Sequence, residues 1–408
     1  MRRSVAAVTQ ETSARPASRL GRTLLPLGLL FLSVGVSVAL FNPFLSLFLS
    51  TEVDAGPIKI TIFLIVAPLG GVLASSIIGR FSDRRPIRRA LLISGAAAGV
   101  FGTGVTAVVR DYWVLLALSV TAFAIAGSLF PQSFAYARQV LERDDPARAP
   151  MGISALRTVF SLAWVAGPPL GAFLLATGGF VWIYGTAALM YALAALVAVF
   201  WLDEVPARAH RASDDPADRP VDAGRWTLWL TAAAFTLLQT PLTLAVQALP
   251  LFIGTELQGD VGDAGLLLGL CAALEIPLML GLGMLAVRVP LRRLLFAGAA
   301  CGIAYYTVAA TATGLGALVA GQALNAMFIA AVTGLGISYM QNMLPGHPGR
   351  ATTLFTNGFP LGAMLAGPLF GLAQHFDYRL AYWLCTALCA AGLLLLIVVR
   401  NDRPTRHA

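Results

Sequence analysis

The chain has 408 residues, of which 58% are hydrophobic and only 12% are charged, with a mean hydropathy of +0.77. Soluble domains carry about 25% charged residues, so this composition excludes an ordinary soluble enzyme. The formal net charge of +8 would suit a nucleic-acid-binding protein only if the basic residues formed a stripe on a soluble face. They fall instead between long apolar runs, so we expect an all-α membrane protein with no nucleic-acid partner.

Apolar runs long enough to cross a bilayer, at roughly 20 residues each, follow one another along the whole chain. The twelve predicted spans are 24–49, 58–79, 90–109, 114–136, 151–176, 181–202, 226–253, 265–287, 294–313, 316–340, 352–374 and 380–399. They form two sets of six transmembrane helices. The predicted domains are a cytoplasmic tail at 1–22, a six-helix half at 23–202, a cytoplasmic linker at 203–225, a six-helix half at 226–400 and a tail at 401–408.

Basic residues predict the orientation, because short loops rich in Lys and Arg stay on the cytoplasmic side. With both termini inside, the inner segments hold 24 of the 28 basic residues, the outer loops hold three, and Arg157 lies within a span. We therefore predict a multi-pass protein with both termini cytoplasmic. Arginines before the first span are available to anionic lipid headgroups, which makes membrane lipid an expected partner.

A short motif occurs twice at a distance close to half the chain length. The sequence AGPPLG at 166–171 returns 200 residues later as AGPLFG at 366–371. RRPIRR at 84–89 similarly matches RVPLRR at 288–293. Two six-helix halves related along the membrane normal are typical of transporters that rock around a site near the bilayer midplane.

Several sequence blocks resemble a known transporter family. GRFSDRRPIRR at 79–89 resembles the motif after helix two in the major facilitator superfamily, although Pro86 replaces the expected glycine. Five more blocks resemble the bacterial sugar efflux transporter (SET) branch: LSLFLS at 45–50, RTVFSLAWVAGPP at 157–169, LEIP at 274–277, MLPG at 343–346 and ATTLFTN at 351–357. The resemblance implies the major facilitator fold in a bacterial cytoplasmic membrane. It also implies export of sugars or glycosides by proton antiport with alternating access.

Two charged side chains, Glu275 and Arg157, lie well inside predicted spans. An ionisable group near the bilayer centre costs about 2.5 to 3.5 kcal/mol, so each should face a partner or an aqueous cavity. We assign Glu275 to proton coupling, with a structural hydrogen bond or direct sugar binding as alternatives. We assign Arg157 to gating, with snorkelling to the interface as the alternative. We also expect the two side chains to approach each other in one access state.

Amide side chains and one aromatic ring make up the predicted substrate site. Sugar hydroxyls bind amides and carboxylates, and the C–H face of a pyranose packs on aromatic rings. In the superfamily layout, spans one, four, seven and ten line the cavity, and the internal repeat places Asn357 in span eleven where Arg157 lies in span five. The predicted substrate-binding residues are Asn42, Gln132, Trp164, Gln239, Gln247, Asn325 and Asn357. The alternative for each is a hydrogen bond between helices.

The superfamily resemblance also implies a charge cluster on the cytoplasmic side. It assigns Asp83, Arg84 and Arg138 to gating together with Arg157, with solvated loop charges as the alternative. We expect no metal, because the four cysteines lie inside apolar runs without neighbouring histidines or carboxylates. We also expect no enzyme activity and no cofactor, because the sequence has no Walker loop and its four histidines fall in loops or tails.

Two rival functions stay open at this point. One is a multidrug–proton antiporter of the same superfamily, although span four lacks the buried arginine typical of that group. The other is a non-transporting, transporter-like sugar sensor, which would need a sizeable soluble output domain. The leading prediction is a monomeric secondary active transporter whose partners are a small-molecule sugar or glycoside and a proton.

Overall fold

The computed structural model describes residues 17–84, 87–144, 149–204, 224–344 and 348–399, and this described part is almost entirely helical and contains no strand. A 3-10 turn at Asn42–Phe44 separates the first two of its α-helices. The helices are α1 (Ala17–Phe41), α2 (Leu45–Thr51), α3 (Pro57–Arg84), α4 (Arg88–Val108), α5 (Tyr112–Val120), α6 (Ala122–Gly127), α7 (Leu129–Asp144), α8 (Ala149–Phe200), α9 (Arg225–Glu256), α10 (Val261–Leu285), α11 (Leu291–Thr311), α12 (Leu315–Met343), α13 (Pro348–Thr356), α14 (Gly358–Phe376) and α15 (Tyr378–Val398).

Length and hydropathy identify ten helical stretches in the described chain that can each cross a membrane. Helix α8 has 52 residues, or about 78 Å, which is more than twice the hydrocarbon thickness of roughly 30 Å. It is kinked at Gly179, where a φ of 68° favours a residue without a Cβ. The kink separates the predicted spans 151–176 and 181–202. The chain is thus a helical membrane protein, and twelve crossings follow if α8 counts twice and α13 with α14 form the span 352–374.

Tryptophan side chains mark both edges of the membrane-crossing part. Six of the seven tryptophans lie near a helix end or, for Trp182, near the kink of α8, and they are 46% to 81% exposed: Trp113, Trp182, Trp201, Trp226, Trp229 and Trp383. Amphipathic rings of this kind favour the headgroup level of a bilayer. The seventh, Trp164, lies within the first crossing of α8 and is half-buried. Its position inside a span sets it apart from the other six.

The hydrophobic core joins the two halves on one side of the bundle. We name the side where α8 ends and α9 begins the linker face, and the side where α2 ends and α3 begins the distal face. One buried cluster lies within the N-terminal half toward the linker face and includes Leu92 and Tyr191. The other runs without a gap from the distal part of that half, at Phe48, into the C-terminal half at Phe252. The halves therefore share a core at the distal face.

Two crossings of the N-terminal half are interrupted. The first passes through the 3-10 turn at Asn42–Phe44, where Pro43 has no backbone N–H to donate. The fourth is divided into α5, α6 and α7, with Thr121 at φ −114° and ψ −85° between the first two. Apolar residues continue through both points, so hydropathy predicts single spans at 24–49 and 114–136. The prediction of continuous helices was wrong at these two spans, because each is divided into separate helices, but the number of crossings is unchanged.

Each half uses an arginine to cap the end of its last helix at the linker face. Arg89 donates to two carbonyls at the end of α8, at 3.1 and 2.6 Å. Arg292 donates to three carbonyls at the end of α15, at 3.0 to 3.2 Å. Both belong to the repeated motifs at 84–89 and 288–293. Each motif thus supplies an arginine that caps helix ends, where carbonyls lack intrahelical partners, from the sixth position in one motif and the fifth in the other.

A second pair of arginines stabilises the distal ends of the two halves. Glu52 accepts a hydrogen bond from Arg110 at 3.0 Å, and the Glu256 carboxylate lies 3.4 Å from Arg379. The same guanidinium groups cap the carbonyl ends of α4 and α11, respectively. We name these pairs the distal clamps. The two glutamates are 204 residues apart (256 − 52) and occupy equivalent positions in the two halves. The arginines that bind them do not, since Arg110 follows α4 and Arg379 lies at the start of α15.

Two helices begin earlier than the predicted boundaries. Helix α1 begins at Ala17, inside the predicted tail 1–22, and α9 begins at Arg225, one residue before the predicted C-terminal half. Most of the tail 1–22, most of the linker 203–225 and all of the tail 401–408 lie outside the described residues. These domain assignments stay predictions.

Candidate functional site

Glycines bring the two halves into contact near the distal ends of α8 and α10. A Cβ on Gly265 would lie 2.7 Å from the Pro168 carbonyl oxygen, and one on Gly269 would lie 2.6 Å from that of Val165. Gly283 lies on the same face of α10 as Gly265, because 18 residues (283 − 265) make five turns. A Cβ on Gly283, however, would have no heavy atom of another described residue within 4 Å. Helices α8 and α10 therefore touch at the distal face and diverge toward the linker face.

Helices α3 and α14 form the corresponding contact between the halves. A Cβ on Gly367 would lie 3.0 Å from the Ile65 side chain and 3.2 Å from the Thr61 carbonyl oxygen. Thr61 and Ile65 belong to the first three turns of α3, which begins at the distal face. Together with the shared core, these contacts close the bundle at the distal face. The space between the halves opens toward the linker face, which we predict to be cytoplasmic.

Glu275 and Arg157 lie on the two helices that diverge. The contacts at Gly265 and Gly269 define the antiparallel register, and extending it places Glu275 opposite Phe160. Arg157 is then three residues, or about 4.5 Å, nearer the linker face. Both charges are therefore below the distal contact, on the walls of the opening.

The two charges interact without forming an ion pair in this state. Glu275 is half-buried and Arg157 is exposed. The Arg157 guanidinium acts electrostatically on the Glu275 carboxylate. No ion pair within 4 Å joins them among those formed by the described residues. Closer approach in another access state stays a prediction.

A buried polar network lies next to Glu275. Cys271 is one turn from Glu275 on α10, and its Sγ accepts a hydrogen bond from Asn325 Nδ2 of α12 at 3.3 Å. The same Nδ2 lies 3.3 Å from Gln322 Oε1, and Gln322 Nε2 donates to the Tyr305 hydroxyl at 3.2 Å. Asn325 Oδ1 is buried and has no partner among the described residues. The carboxyl group of Glu275 thus lies one helical turn from a network of α10 and α12 that contains an unpaired amide oxygen.

The N-terminal half supplies two further predicted residues. Gln132, in the first turn of α7, is 6% exposed, and its Oε1 has no partner in the described chain. Trp164 lies on α8, two turns from Arg157, and adjoins Val165 of the contact with α10. A half-buried tryptophan within a span offers the apolar ring face that a pyranose packs on.

Asn42 and Gln247 meet across the two halves. Gln247 Oε1 of α9 accepts from the Ser46 backbone N–H at 3.1 Å, and its Nε2 donates to the Asn42 carbonyl oxygen at 2.8 Å. Both polar atoms of the Gln247 side chain are therefore engaged in this state. The sequence gives no signal for Ser46 beyond a small polar residue shortly after Pro43.

The remaining predicted substrate residues lie along α9, α13 and α14. Gln239 is 3% exposed, and its Nε2 donates to the Phe355 carbonyl of α13 at 3.3 Å, inside the C-terminal half. Asn357 lies between α13 and α14, and it is exposed. The structure thus does not bring Gln239 and Asn357 into the network around Glu275.

Besides Arg157, the one residue predicted for gating whose side chain is described is Arg138. Its Nε donates to Glu142 of the same helix at 2.7 Å, and the side chain is 73% exposed. The side chains of Asp83 and Arg84, at the end of α3, lie outside the described part. The predicted charge cluster on that face stays a prediction.

Comparison with known proteins identifies the family. The profile of the Major Facilitator Superfamily matches residues 27–309 and, in a second match, 232–408. Sugar efflux transporter A of Dickeya chrysanthemi is 35% identical, with 90% of this chain and 93% of that protein aligned. Sugar efflux transporter A of Escherichia coli is 34% identical, covering 90% of this chain and 94% of that protein. Both relatives are transporters, a class without enzyme activity.

The fold also matches solved structures. The crystal structure of a mutant of the nucleoside transporter NupG superposes with a TM-score of 0.75 at 12% identity, over 92% of this chain and 99% of that one. At this identity the likeness concerns the fold alone. Sequence and structure agree, and the chain belongs to the major facilitator superfamily and, within it, to the sugar efflux transporter family.

Proposed function

We propose that the protein exports sugars or glycosides across the bacterial cytoplasmic membrane. The main support is its similarity, at 34% and 35% identity over 90% of the chain, to two proteins named sugar efflux transporter A. The junction of α8, α10 and α12 supplies the chemistry that such a substrate needs. In the proposed site Glu275 and the buried, unpartnered Oδ1 of Asn325 would accept hydrogen bonds from hydroxyls, and the half-buried Trp164 would offer a ring for the C–H face.

Alternating access is the proposed mechanism. The contacts of Gly265 and Gly269 close the distal face, while α8 and α10 diverge toward the linker face. In the proposed cycle a sugar enters this opening from the cytoplasm and binds between the halves. The halves then rotate, the distal contacts separate, and the sugar leaves on the outer side.

Proton antiport is the proposed coupling, with Glu275 as the coupling residue. The carboxyl group is proposed to take up a proton when its site opens outward and to release it when the site opens to the cytoplasm. Loss of the negative charge removes the attraction to Arg157, which acts on Glu275 across the opening. The export of a sugar is thereby coupled to the inward movement of protons.

Gln132 and the linker-face charges complete the proposal. Gln132 is proposed to contact the substrate from the N-terminal half through its unpaired Oε1. Asp83, Arg84, Arg138 and Arg157 are proposed to hold the linker face closed when the distal face is open. Because one chain holds both halves, we propose that it works as a monomer.

Counterflow into proteoliposomes tests the substrate class. Vesicles preloaded with unlabelled lactose or methyl glycosides should take up the corresponding radiolabelled sugar, and a lipophilic cation should not compete. Trp164→Leu should abolish this uptake, whereas Trp383→Leu, at an exposed membrane-edge position, should retain it. Saturable binding of the lipophilic cation with no counterflow of any sugar in the panel would favour the multidrug alternative.

A further inference from the structure

The side chain of Gln247 occupies a place in the backbone ladder of the first crossing. In a regular α-helix the N–H of residue 46 donates to the carbonyl of residue 42. Here the carboxamide of Gln247 stands between these two groups. Its Oε1 accepts from the Ser46 N–H at 3.1 Å, and its Nε2 donates to the Asn42 carbonyl at 2.8 Å. An amide from the C-terminal half thus bridges the gap in a helix of the N-terminal half.

The bridge is buried away from water, so its polar groups form hydrogen bonds with one another and not with solvent. Ser46 is fully buried and Gln247 is 2% exposed. The Ser46 hydroxyl also donates to the Gln247 backbone carbonyl, which adds a third bond between the halves. A buried N–H without a partner costs about 1 to 3 kcal/mol, so the Ser46 N–H needs this bridge or a substitute for it while the distal face is closed.

The 3-10 turn at Asn42–Phe44 leaves backbone groups available to Gln247. Pro43 cannot donate to the carbonyl four residues before it, and the chain passes through a 3-10 turn in which Leu45 donates to Asn42. The Ser46 N–H is thereby left for a partner from outside the helix. A side-chain amide fits because it carries one donor and one acceptor, as the peptide group does.

We propose that Gln247 is a positioning residue of the transport cycle that exchanges hydrogen bonds with the first crossing. When the distal face opens, Gln247 withdraws, and the Ser46 N–H bonds directly to the Asn42 carbonyl, so that α1 and α2 become one helix. When the face closes, Gln247 replaces that bond. Both states therefore provide a partner for the Ser46 N–H and for the Asn42 carbonyl.

This inference rests on the proposed function only in requiring that the halves move, and it can be tested without any sugar. Thr51 and Thr255 are exposed residues at the distal ends of the two halves. Spin labels at Thr51→Cys and Thr255→Cys, in a chain with the four native cysteines replaced by alanine, report the distal distance in nanodiscs. This labelled parent should give a predominantly short distance between the two labels. Gln247→Met, which keeps the length of the side chain and loses both polar atoms, should raise the long-distance fraction about tenfold.

Gln239→Met is the matched control, because Gln239 lies on the same helix, is equally buried and bonds within its own half. It should leave the distance distribution unchanged. Ser46→Ala is a second variant that does not depend on the folding of Gln247→Met. It removes only the hydroxyl bond and should shift the distribution in the same direction by about threefold. A wild-type distribution in both Gln247→Met and Ser46→Ala, or an equal shift in Gln239→Met, would overturn the proposal.

Discussion

Gly269→Ala is the substitution whose effect on the closed distal face follows most directly from the structure. The added Cβ would lie 2.6 Å from the Val165 carbonyl oxygen and 2.7 Å from the Pro169 ring. Ordinary contact begins near 3.4 Å, so α10 must move about 0.8 Å (3.4 − 2.6) away from α8. Neither neighbour can rotate aside, because one is a backbone carbonyl and the other a closed ring.

Overpacking of this kind costs about 1 to 3 kcal/mol. The cost applies only while the distal face is closed, since Gly269 and Val165 belong to different halves and separate when it opens. Gly269→Ala should therefore increase the open fraction about tenfold or more, because each 1.4 kcal/mol is a factor of ten. Gly281→Ala on the same helix places its Cβ where the described part of the chain has no heavy atom within 4 Å, so it should leave the open fraction unchanged.

The distal distance between labels at Thr51→Cys and Thr255→Cys measures this fraction. Both variants are compared with the same labelled parent in nanodiscs without substrate. Equal distributions for Gly269→Ala and Gly281→Ala would refute the reasoning, because they would show that the close approach at Gly269 does not determine the closed state.

Three further predictions concern charged groups. Glu275→Gln should abolish gradient-driven transport and retain counterflow, because the amide still forms hydrogen bonds but cannot release a proton; accumulation with unchanged pH dependence would exclude Glu275 as the coupling carboxyl. In a cycle of Arg157→Met and Glu275→Met, the summed effects of the two single changes on transport should exceed the effect of the double change, because in the access state where the two are predicted to pair, a buried charge without its partner costs about 3 to 5 kcal/mol; strict additivity would remove the pairing. Arg379→Met should lower the melting temperature, because Glu256 and the carbonyls of Ala310 and Ala312 at the end of α11 lose their donor, at a cost of about 1 to 3 kcal/mol in stability. Arg138→Met, whose pair is largely exposed, should change it little, and equal melting temperatures would contradict the clamp.

The architecture was largely predictable because hydropathy and charge act over whole helices. Long apolar runs predicted the membrane helices, and the repeated RRPIRR and RVPLRR motifs both prove to cap the last helix of a half. The interruptions at Asn42–Phe44 and Thr121 were not predicted. They depend on a few backbone dihedrals, and the apolar runs that surround them do not change there.

The candidate site was predictable only in part. Glu275 and Arg157 were recognisable because a charge inside an apolar run has few structural uses. Amide residues gave no such distinction, because a glutamine side chain suits a sugar, a helix contact or a backbone bridge equally. Gln247 meets backbone groups of a segment about 200 residues away, and a backbone partner leaves no mark in the sequence. For the same reason the role of Ser46 became visible only in the structure.

Gradient-driven sugar uptake tests the central claim most directly. Proteoliposomes with an acidic interior and an alkaline exterior are given a radiolabelled glycoside that shows counterflow, and external pH is recorded at the same time. Proton antiport predicts accumulation above the external concentration, coincident release of protons, and loss of both with a protonophore. Accumulation under the opposite gradient, or equilibration that is indifferent to the gradient, would contradict proton-coupled export.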